Sequence, residues 1–147
     1  MSPIFHLVSN APKPVAPYSH AVEADGFVFV TGQLATDPAD DSRPIPEGIE
    51  AQTRKVMDNL DRVLKGVGLG FANVICVRIF LTAFERDYET MNSLYASYFA
   101  PGRLPARTTV ACAACQASPT RGAKLFMSLS NGDRVLSSTN FMTPRRL

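Results

Sequence analysis

The pattern that most constrains the fold is one strand-like run between two segments with helical spacing. Apolar residues recur every three or four positions from about Glu47 to Val67, and glycines at positions 66, 68 and 70 end this pattern. A nearly continuous apolar run covers residues 73–82, and a second amphipathic segment covers residues 86–99. Two such helices need a sheet against which each can bury one face.

Further short runs have the composition of strands. They cover residues 4–8, 19–24, 27–31 and 123–129, with another run that begins at Arg107. Asp25-Gly26 predicts a hairpin turn, Gly32 and Gln33 are expected to end the strand before them, and residues 131–133 predict a turn. The near-continuous apolarity of residues 73–82 predicts a central strand covered on both faces.

These elements predict an α+β sandwich, with a mixed sheet and two helices on one face. The chain offers no third layer, so we expect the other face of the sheet to pack against another copy of the chain. We expect one domain over residues 1–131 and an atypical C-terminal tail over residues 132–147. Residues 35–48, rich in proline and aspartate, are expected to form a surface loop.

Charge and hydropathy exclude several classes of partner. The chain of 147 residues has 15 basic and 13 acidic residues, a net charge of +2, which argues against nucleic acid or an anionic membrane as the main partner. Residues 10–17 carry three prolines that interrupt any apolar run near the start of the sequence, and no apolar stretch is long enough to cross a bilayer. We therefore expect a cytoplasmic protein.

Three cysteines are too few for a disulfide framework. Cys112 and Cys115 have the CxxC spacing, but Cys112 continues a strand-like run instead of opening a helix. A zinc site would need two more ligands, and the remaining candidates (His6, His20 and Cys76) are scattered. We interpret the cysteines as small buried hydrophobic residues and predict no metal.

Arg107 is the strongest candidate for ligand binding. It stands in the segment Leu-Pro-Ala-Arg-Thr-Thr-Val over residues 104–110, at the start of a β-branched run. A strand that begins there holds the guanidinium near one end of the sheet. The planar group can present two parallel N–H donors to a carboxylate.

Several segments together resemble the RidA family, also called the YjgF or endoribonuclease L-PSP family. They are Ala-Pro-Tyr-Ser-His-Ala-Val at 16–22, Phe-Val-Thr-Gly-Gln at 29–33, Gln-Thr at 52–53 with Asn-Leu at 59–60 and Val-Leu at 63–64, Asn-Ser-Leu-Tyr-Ala-Ser-Tyr-Phe at 92–99 and Leu-Pro-Ala-Arg-Thr at 104–108. The resemblance covers roughly residues 12–112. It implies a chorismate-mutase-like (YjgF-like) fold and a homotrimer with ligand clefts between subunits.

The resemblance also implies an activity. Proteins of this family hydrolyse reactive 2-imino and 2-enamino acids, such as 2-aminoacrylate or 2-iminobutanoate released by pyridoxal-phosphate enzymes, to 2-keto acids and ammonia. The implied partners are therefore a small 2-imino, 2-enamino or 2-keto acid and two further copies of the chain. The resemblance implies no cofactor for the deaminase itself.

Individual residues match the family's site. Arg107 matches the arginine that binds the substrate carboxylate, Tyr18 matches a tyrosine that lines the cleft, and Gly32 matches a glycine whose backbone approaches the ligand. Thr31 stands where the family usually has serine, and we predict it as catalytic together with Arg107. The predicted substrate-binding residues are Tyr18, Gly32, Asn92, Arg107 and Thr109. For Tyr95, in the same motif as Asn92, we favour a role in helix packing.

The sequence departs from the family at one position that matters for chemistry. The last strand usually carries a glutamate that positions the attacking water, and anchoring on Lys124-Leu125 places Phe126 there. Phenylalanine neither orients water nor carries a proton. Either backbone carbonyls with Thr31 or Ser128 hold the water, or the fold binds a carboxylate without turnover. His20, where the family usually has glutamine, offers a titratable group, although a surface or core-edge position is the more common role.

Four functions therefore stay open: a deaminase of small 2-imino acids, a non-catalytic trimeric module for a small carboxylate or a protein partner, RNA cleavage, and a deaminase of a larger enamine such as an aminomuconate. The small net charge argues against RNA cleavage. The loop over residues 35–48 is the feature that would reshape the cleft for a larger substrate.

Overall fold

A computed structural model of the protein describes residues 2–113 and 125–132. In chain order the elements are β1 (Ile4–His6), β2 (Ala21–Ala24), β3 (Phe27–Gln33), α1 (Ile49–Gly66), β4 (Val74–Leu81), α2 (Phe84–Ala96), β5 (Ala106–Ala111) and β6 (Leu125–Gly132), with a single 3₁₀ turn at Phe71–Asn73 before β4. The predicted α+β class and the number of helices are confirmed for the described residues.

The six strands form one mixed sheet in the order β1-β2-β3-β6-β4-β5. All neighbouring strands are antiparallel except β4 and β5, which run parallel and are connected through α2. The last strand, β6, lies between β3 and β4 and therefore separates the two halves of the sheet. α1 and α2 pack against each other and against the sheet.

The hairpin between β2 and β3 forms as predicted. Ala24 pairs with Phe27, so Asp25 and Gly26 make a two-residue turn. Both turn residues have positive φ, 50° and 78°, which is the backbone that the sequence Asp-Gly favours in tight hairpins.

The core lies between one face of the sheet and the helices. Along β3, Val28 and Val30 are buried while Phe27 and Phe29 are exposed, because successive strand residues point to opposite faces. The prediction that the run over residues 73–82 is covered on both faces is wrong for the single chain. β4 does lie inside the sheet, but Ile75 remains 47% exposed because no described element covers that face.

Some boundaries also differ from the prediction. β3 continues through Gly32 and Gln33, where an irregular register relative to β6 accommodates the glycine. α2 begins at Phe84, with acidic residues in its first turn, and ends at Ala96, where the Ser97 hydroxyl donates to the Leu94 carbonyl. Asn131 and Gly132 belong to β6, paired with β3, and are not part of a turn.

Cys76 and Cys112 are half-buried, so the prediction that they are small buried residues holds only in part for these two. Cys112 follows the end of β5, and its N–H donates to the Leu81 carbonyl. Cys115, the loop before β6 and the proposed tail beyond residue 132 lie outside the described residues. None of the described helices has the length and apolarity needed to cross a membrane.

Candidate active site

Arg107 is the second residue of β5, near one end of the sheet as predicted, and pairs with Val77 of the parallel strand β4. Its side chain lies on the helix-covered face and reaches α2. One terminal nitrogen, Nη1, donates to the Asn92 Oδ1 at 2.6 Å, and the other, Nη2, donates to the Tyr88 hydroxyl at 3.0 Å. Asn92, predicted from the sequence as a substrate-binding residue, therefore lies beside Arg107.

The helix supplies these partners from one face. Tyr88, Asn92 and Tyr95 follow one another at intervals of four and three residues, so their side chains project in the same direction. The Cζ atom of Arg107 lies 5.0 Å from the centroid of the Tyr95 ring and 5.8 Å from that of Tyr88. Both distances are within the range of a cation–π interaction, so the guanidinium is stabilised by rings as well as by hydrogen bonds.

The partners of Arg107 are electrically neutral. Its two hydrogen-bond acceptors are the amide of Asn92 and the phenol of Tyr88. No carboxylate among the described residues forms an ion pair with it. A guanidinium carries five N–H donors. Two of them donate to Asn92 and Tyr88, and no acceptor among residues 2–113 and 125–132 is recorded for the other three. The site therefore offers a positive charge that its described surroundings do not cancel.

Two hydroxyl groups near Arg107 have no hydrogen-bond partner among the described residues. They are the Tyr95 hydroxyl and the Thr109 Oγ1, two positions along β5 from Arg107 and on the same face of the sheet. Burial raises the pKa of Tyr95 to about 12, and the nearby Arg107 cation acts in the opposite direction. The phenol therefore stays neutral at physiological pH. Tyr95 packs in the core as expected, and its ring also contacts Arg107.

The other predicted site residues form a second group around the beginning of β2 and the end of β3. The Thr31 hydroxyl donates to the Ser19 carbonyl at 2.6 Å, and the Thr31 N–H donates to the His20 carbonyl at 2.9 Å. Tyr18 is 37% exposed, and its hydroxyl accepts from the Val15 N–H. Gly32 follows Thr31 in β3, and the Gln33 side-chain amide donates to the Thr31 and Gly32 carbonyls.

The two groups do not meet within one chain. β3 and β5 are separated by β6 and β4, and neighbouring strands lie ~4.8 Å apart, so the groups are about 14 Å apart across the sheet. We call Arg107, Tyr88, Asn92 and Tyr95 the Arg107 half-site. We call Tyr18, Thr31 and Gly32, with the buried His20 beneath them, the β3 half-site.

Comparison with known proteins identifies the family. The family model described as Endoribonuclease L-PSP matches residues 8–120, most of the chain. The chain belongs to the RidA family.

The chain is similar to a 2-iminobutanoate/2-iminopropanoate deaminase of Mus musculus, with 35% identity over 106 residues, 72% of this chain and 76% of the relative. A RutC family protein of Pyrococcus horikoshii is 39% identical over 105 residues, 71% of this chain and 80% of the relative. The crystal structure of a conserved Rid-family protein from Yersinia pestis matches with a TM-score of 0.80 and 30% identity, covering 90% of this chain and 100% of that chain.

Position 126, where phenylalanine is expected in place of the family's usual glutamate, lies in β6. Phe126 pairs with Phe80 in β4, in the strand that lies between the two half-sites. No carboxylate is therefore available from this position. Any water that acts at the site must be oriented by other groups.

His20 has a structural role here. It is 3% exposed; its Nδ1 accepts from the Val8 N–H at 2.8 Å, and its Nε2 lies 2.8 Å from the Pro12 carbonyl, to which it donates as the neutral tautomer. Both ring nitrogens are engaged by backbone groups and the side chain is buried, which fits the core-edge position expected from the sequence as the more common role. The side chain ties the proline-rich loop to the end of β1.

Sequence reasoning missed Tyr88 as a site residue. Its place in the apolar stripe of α2 predicted packing, and its ring does stack on Phe84 with centroids 4.8 Å apart. The signal was present, because Tyr88 stands four residues before Asn92 and therefore on the same face of the helix.

Proposed function

We propose that this protein is a deaminase that hydrolyses small 2-imino and 2-enamino acids to 2-keto acids and ammonia, and that it works as a homotrimer with its ligand clefts between subunits. The observation that carries the proposal is the guanidinium of Arg107, held by neutral groups and left, within the described part of the chain, with three N–H donors. Such a group binds a carboxylate in two-point fashion and fixes its orientation. The name of the similar mouse protein supports an imine substrate.

The separation of the half-sites supports the proposed assembly. A substrate with only three or four carbons cannot span about 14 Å within one chain. The uncovered face of the sheet exposes large apolar side chains, among them Phe27, Phe29 and Ile75. A second copy that covers this face buries them. Because β5 is the edge strand, that copy can bring its β3 half-site around the edge towards the Arg107 half-site of the first.

The chemistry requires water, a polarised carbon and two proton transfers. Water adds to C2 of the imine, the C=N bond becomes single, and the nitrogen gains a proton to give a carbinolamine. The hydroxyl proton then passes to the amino nitrogen, the C–N bond breaks, the C=O bond forms and ammonia leaves. Arg107 stabilises the carboxylate beside C2, so the bound imine has a fixed orientation when water attacks.

Thr31 is the described residue best suited to hold the water. Its hydroxyl hydrogen is used by the Ser19 carbonyl, so the oxygen presents lone pairs to an incoming donor. A water that donates to Thr31 turns a lone pair of its own towards the substrate. This arrangement orients the nucleophile without a carboxylate and predicts a slower deaminase than one with glutamate at position 126.

A coupled assay tests the proposal. A pyridoxal-phosphate threonine dehydratase generates 2-iminobutanoate in situ, and keto-acid release is followed with and without this protein. We expect acceleration that Arg107→Ala abolishes and Arg54→Ala retains, because Arg54 pairs with Glu50 on the surface of α1. Absence of acceleration by folded, trimeric protein would contradict the deaminase.

Phenylalanine at position 126 favours one alternative, a trimeric module that binds a small carboxylate without turnover. The two functions are separated by Phe126→Glu. Under the deaminase, this variant adds a proton-transferring group to a working site and raises the rate, by roughly 10-fold or more. Under the binding module, the wild type and Phe126→Glu both bind 2-oxobutanoate through Arg107 and both leave imine hydrolysis at its spontaneous rate.

A further inference from the structure

Tyr88 contacts the proposed carboxylate-binding group directly. Its hydroxyl accepts from the Nη2 of Arg107 at 3.0 Å, while Asn92 accepts from Nη1 at 2.6 Å. We propose that Tyr88 is a positioning residue that fixes the plane of the Arg107 guanidinium and thereby makes the site selective for carboxylates in one orientation. This inference deepens the proposed function and rests on it.

Two acceptors are needed to fix a guanidinium. With Asn92 alone, the planar group keeps rotational freedom about its bonds to the side chain, and the direction of its remaining N–H donors is not set. A second acceptor on the other terminal nitrogen removes that freedom before a ligand arrives. Pre-ordering of this kind lowers the entropy that binding must overcome.

The residue type at position 88 matters as much as its place. A carboxylate there would neutralise Arg107 and compete with an anionic ligand, whereas a phenol accepts the same hydrogen bond without cancelling the charge. The ring of Tyr88 is itself fixed by stacking on Phe84, with an interplanar angle of 18°. The hydroxyl is therefore presented from a constrained ring.

Tyr88→Phe removes one oxygen and leaves the stacked ring in place. Tyr98→Phe is the matched control, because it removes a phenol hydroxyl whose partner is Arg54 and whose ring contacts Phe71. The first readout needs no ligand: nitrogen-detected NMR of the Arg107 side chain, assigned with Arg107→Lys. We expect slow rotation with separate Nη signals in the wild type and in Tyr98→Phe, and averaged signals in Tyr88→Phe. Unchanged Nη signals in Tyr88→Phe would overturn the proposal.

The second readout separates positioning from general damage to the site. Binding of 2-oxobutanoate and of its uncharged amide is measured for each variant. We expect Tyr88→Phe to weaken binding of the acid by about 3- to 10-fold, the range of one ordinary net hydrogen bond, and to leave binding of the amide unchanged. Equal weakening of both ligands would overturn the positioning role.

Failure of the proposed function has a different signature. If the wild type bound neither ligand and accelerated no deamination, while Tyr88→Phe still averaged the Arg107 signals, the deaminase and the carboxylate ligand would be contradicted. The control of the guanidinium by Tyr88 would still be supported by the NMR result.

Discussion

The two half-sites are built by different means. The Arg107 half-site consists of side chains that contact other side chains across α2 and β5. The β3 half-site depends on backbone carbonyls and N–H groups, with the buried His20 holding two segments together beneath it. Substitution of Arg107 therefore changes the ligand-binding group with little effect on the fold, whereas substitution of His20 changes the backbone segments that carry the β3 half-site.

The largest expected loss of stability is that of His20→Ala, in the side chain that holds the segments carrying the β3 half-site. His20→Ala removes both hydrogen bonds and leaves the Val8 N–H and the Pro12 carbonyl unpaired in a buried place. We expect the free energy of unfolding to fall by about 2–4 kcal/mol in urea titrations. His6→Ala is the control, since His6 makes only a long contact with the exposed Glu23 and loses far less. Equal losses in the two variants would remove the contrast between the half-sites.

The next effect belongs to the Arg107 half-site and appears only at alkaline pH. Burial raises the pKa of Tyr95 to about 12, against ~10 for an unfolded tyrosine. Above pH ~10 the unfolded chain loses this proton while the folded chain keeps it, so stability falls as pH rises towards 12, by roughly 2 kcal/mol in all. Unfolding measured from pH 9 to 12 checks this. Tyr95→Phe serves as control, and an equally steep fall in that variant would contradict the assignment.

A smaller effect is expected where α1 meets the segment that His20 holds. A Cβ at Gly66 would lie 2.5 Å from a methyl group of Val8, so Gly66→Ala forces one of the two backbones to move. We expect a loss of about 1–2 kcal/mol, because overpacking outweighs the better helix propensity of alanine. Gly70→Ala, whose Cβ meets nothing within 4 Å, is the matched control. If Gly66→Ala were more stable than the wild type, the Val8 side chain would be able to move away from the added methyl group at little cost in free energy.

The smallest effect on stability is expected for Arg107→Ala. Asn92 and Tyr88 are only half-buried, so water can replace the guanidinium, and the change in unfolding free energy stays within about 1 kcal/mol. The same variant loses binding of 2-oxobutanoate. A large loss of stability would mean that Arg107 serves the fold, and the contrast between the half-sites would have to be redrawn.

Much of this architecture follows from local patterns in the sequence. The apolar spacing of α1, the Asp25-Gly26 turn and the strand that carries Arg107 each depend on near neighbours along the chain. Whether both faces of β4 are covered cannot be predicted from local sequence, because an apolar run has the same composition whether its second face is buried or exposed. The ends of β3 and β6 also differ from the prediction, since pairing between these strands continues past residues that usually end one.

The candidate site could be predicted only residue by residue. Arg107 and Asn92 were identified from their motifs and do meet. Their distance from Thr31 depends on β6, which comes after the other described strands in the chain but lies between β3 and β4 in the sheet. Tyr88 was overlooked because an aromatic residue in an apolar stripe predicts packing, and only the position of Arg107 across the interface gives its hydroxyl a partner.

The central claim is that one active site needs an Arg107 half-site and a β3 half-site from different copies of the chain. It is tested most directly by mixing two inactive variants, Arg107→Ala and the double variant Tyr18→Ala, Gly32→Val, after unfolding and joint refolding. Random trimers would contain about one intact cleft in four, so deamination should recover to roughly a quarter of the wild-type rate. The contradicting result is a mixture that forms trimers, stays inactive and binds 2-oxobutanoate no better than either variant refolded alone. It would show that both half-sites act from the same chain.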